Sequence, residues 1–318
     1  MSGYRSAYAN PEAGWADAGI AVKRIIEESI RVGLQYRVGD AVDVVLGSQS
    51  RVRGVRLATG EIVEADKIVL ATGAWTSFLM DGIEEKLLLS HEERIENQLT
   101  AAGVCVAHYQ LTEEEAKIYS EVPVIVNGEK GTLYIYLILC TSSDIYYSSG
   151  EVIPPSPSGT LKFTCTGSFT NTITVASGQS ISVPPSQDQS IVPQVLKNEI
   201  LGIIKSLMPQ FEKNGREVDW WRLCWDSITP TQNQLICQHP NPSLRNLYLA
   251  VGGSFHSYKF LPTIGKYVAN VIQGVSNGDE KDRAWEWKQT GSPEKPEMAH
   301  ANVIPRRDFK DLVHMGSK

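Results

Sequence analysis

No two glycines of this 318-residue chain are separated by a single residue. The G-x-G-x-x-G turn, which lets a backbone approach a dinucleotide pyrophosphate, is therefore nowhere in it. GEKGT at 128–132 lacks the spacing of a G-x-x-x-x-G-K-[ST] phosphate cradle, and GGSFH at 252–256 lacks the last glycine of a G-x-S-x-G nucleophile elbow. Cysteine is scarce: five residues (105, 140, 165, 224, 237), widely spaced and without any C-x-x-C, indicate neither a disulfide framework nor a zinc knuckle. The six histidines never fall at metal-ligand spacing, so no metal is expected. The longest apolar run, LYIYLILC at 133–140, is far short of the roughly 20 residues a spanning helix needs and reads as a buried strand. The 30 Lys+Arg are outnumbered by 36 Asp+Glu and form no basic stripe, which argues against nucleic acid as a partner. Neither an apolar leader nor a terminal S-K-L tripeptide is present, so the expected compartment is cytoplasmic, without membrane association.

What is present is an α/β texture interrupted by something else. Residues 12–33, EAGWADAGIAVKRIIEESIRVG, place Ile25, Ile26 and Ile30 on one helical face and stop at Gly33. Short Val-rich strands follow in QYRVGDAVDVVLG, RVRGVRLATGEIVEADK and IVLATGAW. From about 100 to 212 the chain turns to strands (VCVAHYQL, VPVIVN, TLKFTC), Ser- and Pro-rich loops such as SSGEVIPPSPSG, and one helix, VPQVLKNEILGIIKSLM. After 218 the α/β texture returns with DWWRLCW, the buried strand of RNLYLAVGG and the helix LPTIGKYVANVIQG; the tail from about 279 is charged and reads as irregular.

Three segments could carry chemistry. In NLYLAVGGSFHSYKFLPTIG a strand ends at Gly252-Gly253 and a loop with His256, Ser257, Tyr258 and Lys259 leads into a helix, a place where backbone N–H groups can converge on a ligand; a plain strand-to-helix turn is the competing reading. ADKIVLATGAW ends a buried strand at Thr72-Gly73, where the missing side chain allows close approach. Cys224 stands between aromatic and aliphatic neighbours in WWRLCWDSITP; taken alone it reads as an inert buried thiol. Lys162 in GTLKF and Lys259 in YKF lie among apolar residues, where a charge must be paired or aimed at a ligand. The acidic run EERIE at 92–96 reads as a solvated face.

In their order, AGWADAG, GDAV, ADKIVLATGAW, GTLKF, RLCWDSITPTQNQLICQHP, GGSFHSYKFLPTIGKYV and PRRDFKDL resemble the FAD-dependent amine oxidases of the D-amino-acid oxidase superfamily, with the sarcosine, L-pipecolate/saccharopine and fructosyl-amino-acid oxidases nearest in pattern. The resemblance implies an α/β fold: a Rossmann-like FAD-binding domain at 1–90 and 213–318, with an inserted α+β substrate domain at 91–212 on an antiparallel or mixed sheet. It also implies a thioether from Cys224 to the flavin 8α carbon. Lys162 would stand by the flavin ring and assist reoxidation by O2, and Lys259 would receive the substrate carboxylate. The Val42 backbone would lie at adenine, Thr72, Gly73 and Trp75 beside the cofactor, and Gly253, His256, Ser257 and Tyr258 against the isoalloxazine. The implied reaction passes the α-hydrogen of an amine or amino acid as hydride to flavin N5, giving an imine that hydrolyses and peroxide from O2. Thr166 and Lys288 stand where fructosyl-specific enzymes are similar in carrying Glu and Arg, which disfavours a sugar-amine substrate.

The departure is the absent pyrophosphate turn, with which roughly 150 residues of a βαβαβ half, and the central strand of the FAD-binding sheet, are expected to be missing. The Rossmann-like domain is thus expected to be incomplete, with an exposed sheet edge open to self-association. A flavin-free chain acting as a binding or interaction module remains the second reading.

Overall fold

The structure, a computed structural model, describes residues 9–12, 14–47, 51–127, 150–213, 215–289 and 304–315. The apolar run at 133–140 lies outside them. Helix α1 (Ala18–Arg31) begins later than the pattern from residue 12 implies, because the Asp17 carboxylate accepts the Ile20 N–H at 3.1 Å and sets the N-terminus there. Gly33 closes it at φ +112°. Its apolar stripe is formed but not covered: Ile20, Ile25 and Ile30 all remain more than 40% exposed.

Strands β1 (Ala41–Leu46), β2 (Val52–Leu57) and β3 (Ile62–Glu64) make an antiparallel meander. Strand β4 (Ile68–Leu70) then runs through a short 3-10 turn, Gly73–Trp75, into α2 (Thr76–Lys86). Met80 and Ile83 of α2 are fully buried with Val44 of β1 in one hydrophobic core. The next stretch supplies β5 (Thr100–Gln110), α3 (Glu113–Tyr119), β6 (Ile125–Asn127), β7 (Gly150–Ile153), β8 (Thr160–Cys165), β9 (Thr172–Thr174) and β10 (Ser180–Ser182), then α4 (Gln194–Leu207) and α5 (Pro209–Lys213). Strand β11 (Trp220–Ile228) follows, then β12 (Leu235–Gln238), β13 (Leu247–Val251), α6 (Leu261–Gln273), α7 (Asp279–Trp285) and α8 (Phe309–Met315).

Two sheets position the site. One is three-stranded in the order β12-β13-β4, with β13 and β4 parallel. The other is five-stranded and antiparallel in the order β11-β5-β8-β7-β6, so β11 returns late in the chain to pair with β5 from Trp220 opposite His108 to Ile228 opposite Thr100. Alternation sends Cys105, Ala107, Tyr109, Leu161, Phe163, Val152 and Leu223 to one face of that sheet, where they form a second core with Leu196, Ile200, Ile203 and Leu207 of α4. Each such aliphatic side chain contributes about 1.5–3 kcal/mol of burial. The molecule is thus mixed α/β with several sheets.

Three expectations change. SSGEVIPPSPSG is not all loop: β7 lies inside it, held by β6 on one side and β8 on the other, and Pro154-Pro155 merely ends it. The tail from 279 is partly helical, and Phe309 and Leu312 of α8 are buried in the second core. The run EERIE is not a solvated face either. Arg94 is buried, with Glu96 at 2.8 Å, Asp81 at 3.2 Å and Glu84 at 3.8 Å, while Glu93 is bonded to Asn241 and Ser90.

This buried cluster ties α2 to the residues entering β5. Glu84 accepts the Ile95 N–H at 2.9 Å, and burial pushes its carboxyl from 4.5 up to about 8. The folded chain therefore holds a proton that the unfolded chain releases near 4.5, and stability falls as pH rises through that window. Glu84→Gln keeps the acceptor for Ile95 and removes the titration. Its melting temperature, measured by circular dichroism from pH 5 to 9, should be independent of this slope and exceed the wild type's by at least ~2 °C at pH 9.

Candidate functional site

Parallel strands β4 and β13 end side by side. Leu70 stands opposite Leu249, so the chain leaves β4 through Thr72-Gly73 beside the exit of β13 through Gly252-Gly253. The space beyond the carboxyl ends of such strands is where α/β sheets bind ligands. Gly73 and Gly252 have φ of +49° and +82°, conformations that L side chains avoid. A Cβ built on Gly73 would touch nothing within 4 Å, so the backbone there is open to approach. Thr72 and Thr76 share a hydroxyl hydrogen bond of 2.9 Å across this turn, and Trp75 is half exposed.

The turn packs against β5 and β11, on the five-stranded sheet. The face of that sheet away from α4 carries Trp220, Arg222, Cys224 and Asp226 of β11, His108, Val106 and Val104 of β5, and Lys162 of β8 opposite His108. Cys224 and Lys162, 62 positions apart in sequence, thus share one face. Burial raises the Cys224 thiol, and the Arg222 and Lys162 cations work against it. His108 lies stacked on Trp220 with ring centroids 4.9 Å apart. Burial first, then the Lys162 ammonium, lowers its imidazole to about 4, so it is neutral at pH 7.

Asp226 joins the two sheets. Its carboxylate accepts the N–H of Phe255 and of Ser227, both at 2.8 Å, and Ser254 N–H reaches the Ser227 carbonyl at 3.0 Å. The glycine loop is thereby fastened to β11 two residues from Cys224. Burial raises the Asp226 carboxyl despite those bonds. A Cβ on Gly253 would lie 2.5 Å from Asp226 Oδ2, so only glycine fits against this carboxylate.

Other expected residues fall differently. Ser257 Oγ donates to the Gly253 carbonyl at 2.8 Å, and His256 Nε2 lies 2.8 Å from the Gln232 carbonyl, so both side chains shape the loop itself. Tyr258 Oη donates to the Ala18 carbonyl at 3.1 Å. Lys259 is not buried as its apolar neighbours suggested: it lies in a surface 3-10 turn (Ser257–Phe260) with its ammonium 5.5 Å from the Phe260 ring centre, and Tyr258 and Phe260 are themselves exposed. Val42 stands apart on the meander, exposed, between the bulge residues Ala41 and Asp43. Asp226, His108, Trp220 and Arg222 were missed by residue-type reasoning. The period-two spacing of 220, 222, 224 and 226 within one strand is the signal that would have found three of them. Two cavities, of about 280 Å³ beside Glu115, Tyr119, Phe211 and Arg216 and about 530 Å³ beside Arg51, Glu64 and Asn246, include none of these residues.

Glycine turns at the ends of a parallel pair thus face a separate antiparallel sheet that bears a cysteine and a lysine. The chain belongs to the FAD dependent oxidoreductase family DAO, whose pattern matches residues 1–271. It is 27% identical over 316 residues to L-saccharopine oxidase of Schizosaccharomyces pombe, covering 96% of this chain and 65% of that protein. It is 25% identical over 302 residues to amino acid oxidase fsqB of Aspergillus fumigatus, covering 83% and 57%. Among solved structures, fructosyl peptide oxidase from E. terrenum superposes with a TM-score of 0.68 at 26% identity, covering 94% of this chain and 62% of that one. Fructosamine oxidase (Amadoriase II) from Aspergillus fumigatus does so with 0.68 at 24%, covering 86% and 57%. The chain therefore spans less than two thirds of the length of these relatives.

The residues present fit the ring end of FAD: two left-handed glycine turns, open backbone at Gly73, and a half-buried thiol on the facing sheet. No glycine pair of this chain offers a pyrophosphate turn.

Two results are expected from this geometry. Lys162→Met removes the cation beside His108, so the His108 imidazole, followed by NMR titration, should move upward from about 4. Gly253→Ala drives a methyl into a carboxylate held by two N–H groups and should cost about 1–3 kcal/mol in urea unfolding.

Proposed function

We propose that this chain belongs to an FAD-dependent oxidase of secondary amines or amino acids. The amine loses two electrons and two protons at its C–N bond to give an imine, which water hydrolyses, and O2 takes up the same electrons and protons as hydrogen peroxide. The observation that carries this reading is the convergence of the Gly73 turn, the Gly252–Phe255 loop and the Cys224–Lys162 sheet face, joined through Asp226. FAD, when bound, supplies the two-electron acceptor. Thr72, Gly73, Trp75, Gly253, His256, Ser257 and Tyr258 would hold it, with Cys224 as its covalent tether. Lys162 would place a cation where oxygen reduction builds negative charge. Lys259, exposed and unpaired with any carboxylate among the described residues, would meet the carboxylate of an amino-acid substrate. The names of the relatives support substrates of the amino-acid class.

A second reading rests on a separate observation. The apolar stripe of α1 and the segment after it, with Val32, Leu34, Tyr36 and Val38 between 50% and 84% exposed, lack a cover, and β4 is paired on one side only among the described residues. Such surfaces suit self-association or an interaction module.

Reconstitution separates the two. Purified chain incubated with FAD should turn yellow, the colour should survive acid precipitation, and Cys224→Ala should bind FAD but release it in acid. A chain that takes up no FAD, with a melting temperature unmoved by it, and that is multimeric by light scattering, would replace the oxidase reading with the second one.

A further inference from the structure

Beyond the residues used so far, the ligand-facing side of the five-stranded sheet carries one more charged group. Glu151 of β7 stands opposite Thr164 of β8, which in turn stands opposite Val106 and, across β5, Arg222. One row of side chains therefore runs Arg222, Val106, Thr164, Glu151, with a cation at one end and a carboxylate at the other, about 14 Å apart by strand spacing. Glu151 is half-buried, yet has no ion pair or side-chain hydrogen bond among the described residues. Lys162 is its diagonal neighbour, but the Lys162 ammonium acts on His108 and Cys224, toward β5 and β11, and leaves Glu151 alone. Burial is the one influence on the Glu151 carboxyl, and it raises it. A half-buried carboxylate without a cation is costly unless something else brings one.

We infer that Glu151 selects an amino acid with a cationic side chain, taking up its terminal ammonium while the reacting amine end lies toward the Cys224 and Lys162 side of the face. The inference rests on the reading that this face binds substrate. Two strand spacings, about 10 Å, separate β7 from β5, where the Lys162 ammonium acts on His108, and an extended lysine-length side chain bridges most of that gap. Thr164, on the strand between and directly opposite Glu151, presents a hydroxyl to it, while the Lys162 ammonium of the same strand acts toward β5 and β11.

The test is calorimetric binding to the full chain, with Nα-methyl-L-lysine against Nα-methyl-L-norleucine, which has the same four-carbon side chain without the ammonium. The wild type should bind the lysine form at least ten-fold more tightly. Glu151→Gln should abolish the difference, Glu151→Asp should restore part of it, and Glu151→Lys should turn the preference toward Nα-methyl-L-2-aminoadipate, all with wild-type melting curves. Equal affinities in the wild type, a preference that survives Glu151→Gln, or no binding of either probe would overturn the assignment. A parallel FAD titration keeps the two readings apart: discrimination without FAD uptake retains Glu151 and removes the oxidase, and FAD uptake without discrimination does the reverse.

Discussion

The long antiparallel pairing of β11 with β5 is the interaction on which the rest depends. It joins residues more than a hundred positions apart, and its register decides which side chains of both strands face α4 and which face the glycine turns. A slip of one residue would send Cys224, Arg222 and Asp226 into the apolar core and bring Leu223 out. The register is secured by what lies behind it, since Leu223, Cys105 and Ala107 are nearly or wholly buried against α4 and its neighbours. Packing on one face thus specifies chemistry on the other.

From that register the site is assembled by few polar contacts. Asp226 links the five-stranded sheet to the loop leaving β13, and the parallel pairing of β13 with β4 carries the alignment on to Gly73. On the other side of the site, the Arg94 cluster links α2, which follows the Gly73 turn, to the segment entering β5. The C-terminal segment adds a brace of its own: Arg307 pairs with Glu199 of α4 at 2.5 Å and donates to the Gly167 carbonyl at 3.1 Å, just past the end of β8. Two sheets of different origin in the chain are in this way held in fixed relation.

Electrostatics on the exposed face follows from the same arrangement. Burial, helped by the Lys162 and Arg222 cations, keeps His108 neutral, and the same two cations oppose the effect of burial on Cys224. The carboxylates sit at the margins, Asp226 engaged by backbone N–H groups and Glu151 on β7. A face with cations centrally and a carboxylate at the side suits a small molecule bearing both charges.

Much of the local structure was legible in the chain itself. Apolar periodicity and glycines marked α1, α4, α6, β4, β5, β11 and β13, because these features depend on neighbours a few residues away. Thr72-Gly73, Gly252-Gly253 and Cys224 could be singled out, since a turn or a thiol announces its own chemistry. What residue order could not reveal was whether a charge is covered: Lys259 reads as buried and is exposed, Glu96 reads as solvated and pairs with buried Arg94, and β7 reads as loop and is a paired strand. Tertiary structure alone decided these, together with the placing of Lys162, Cys224 and Asp226 on one face. Burial and strand pairing are set by segments distant in sequence, and no local pattern records which distant segment arrives.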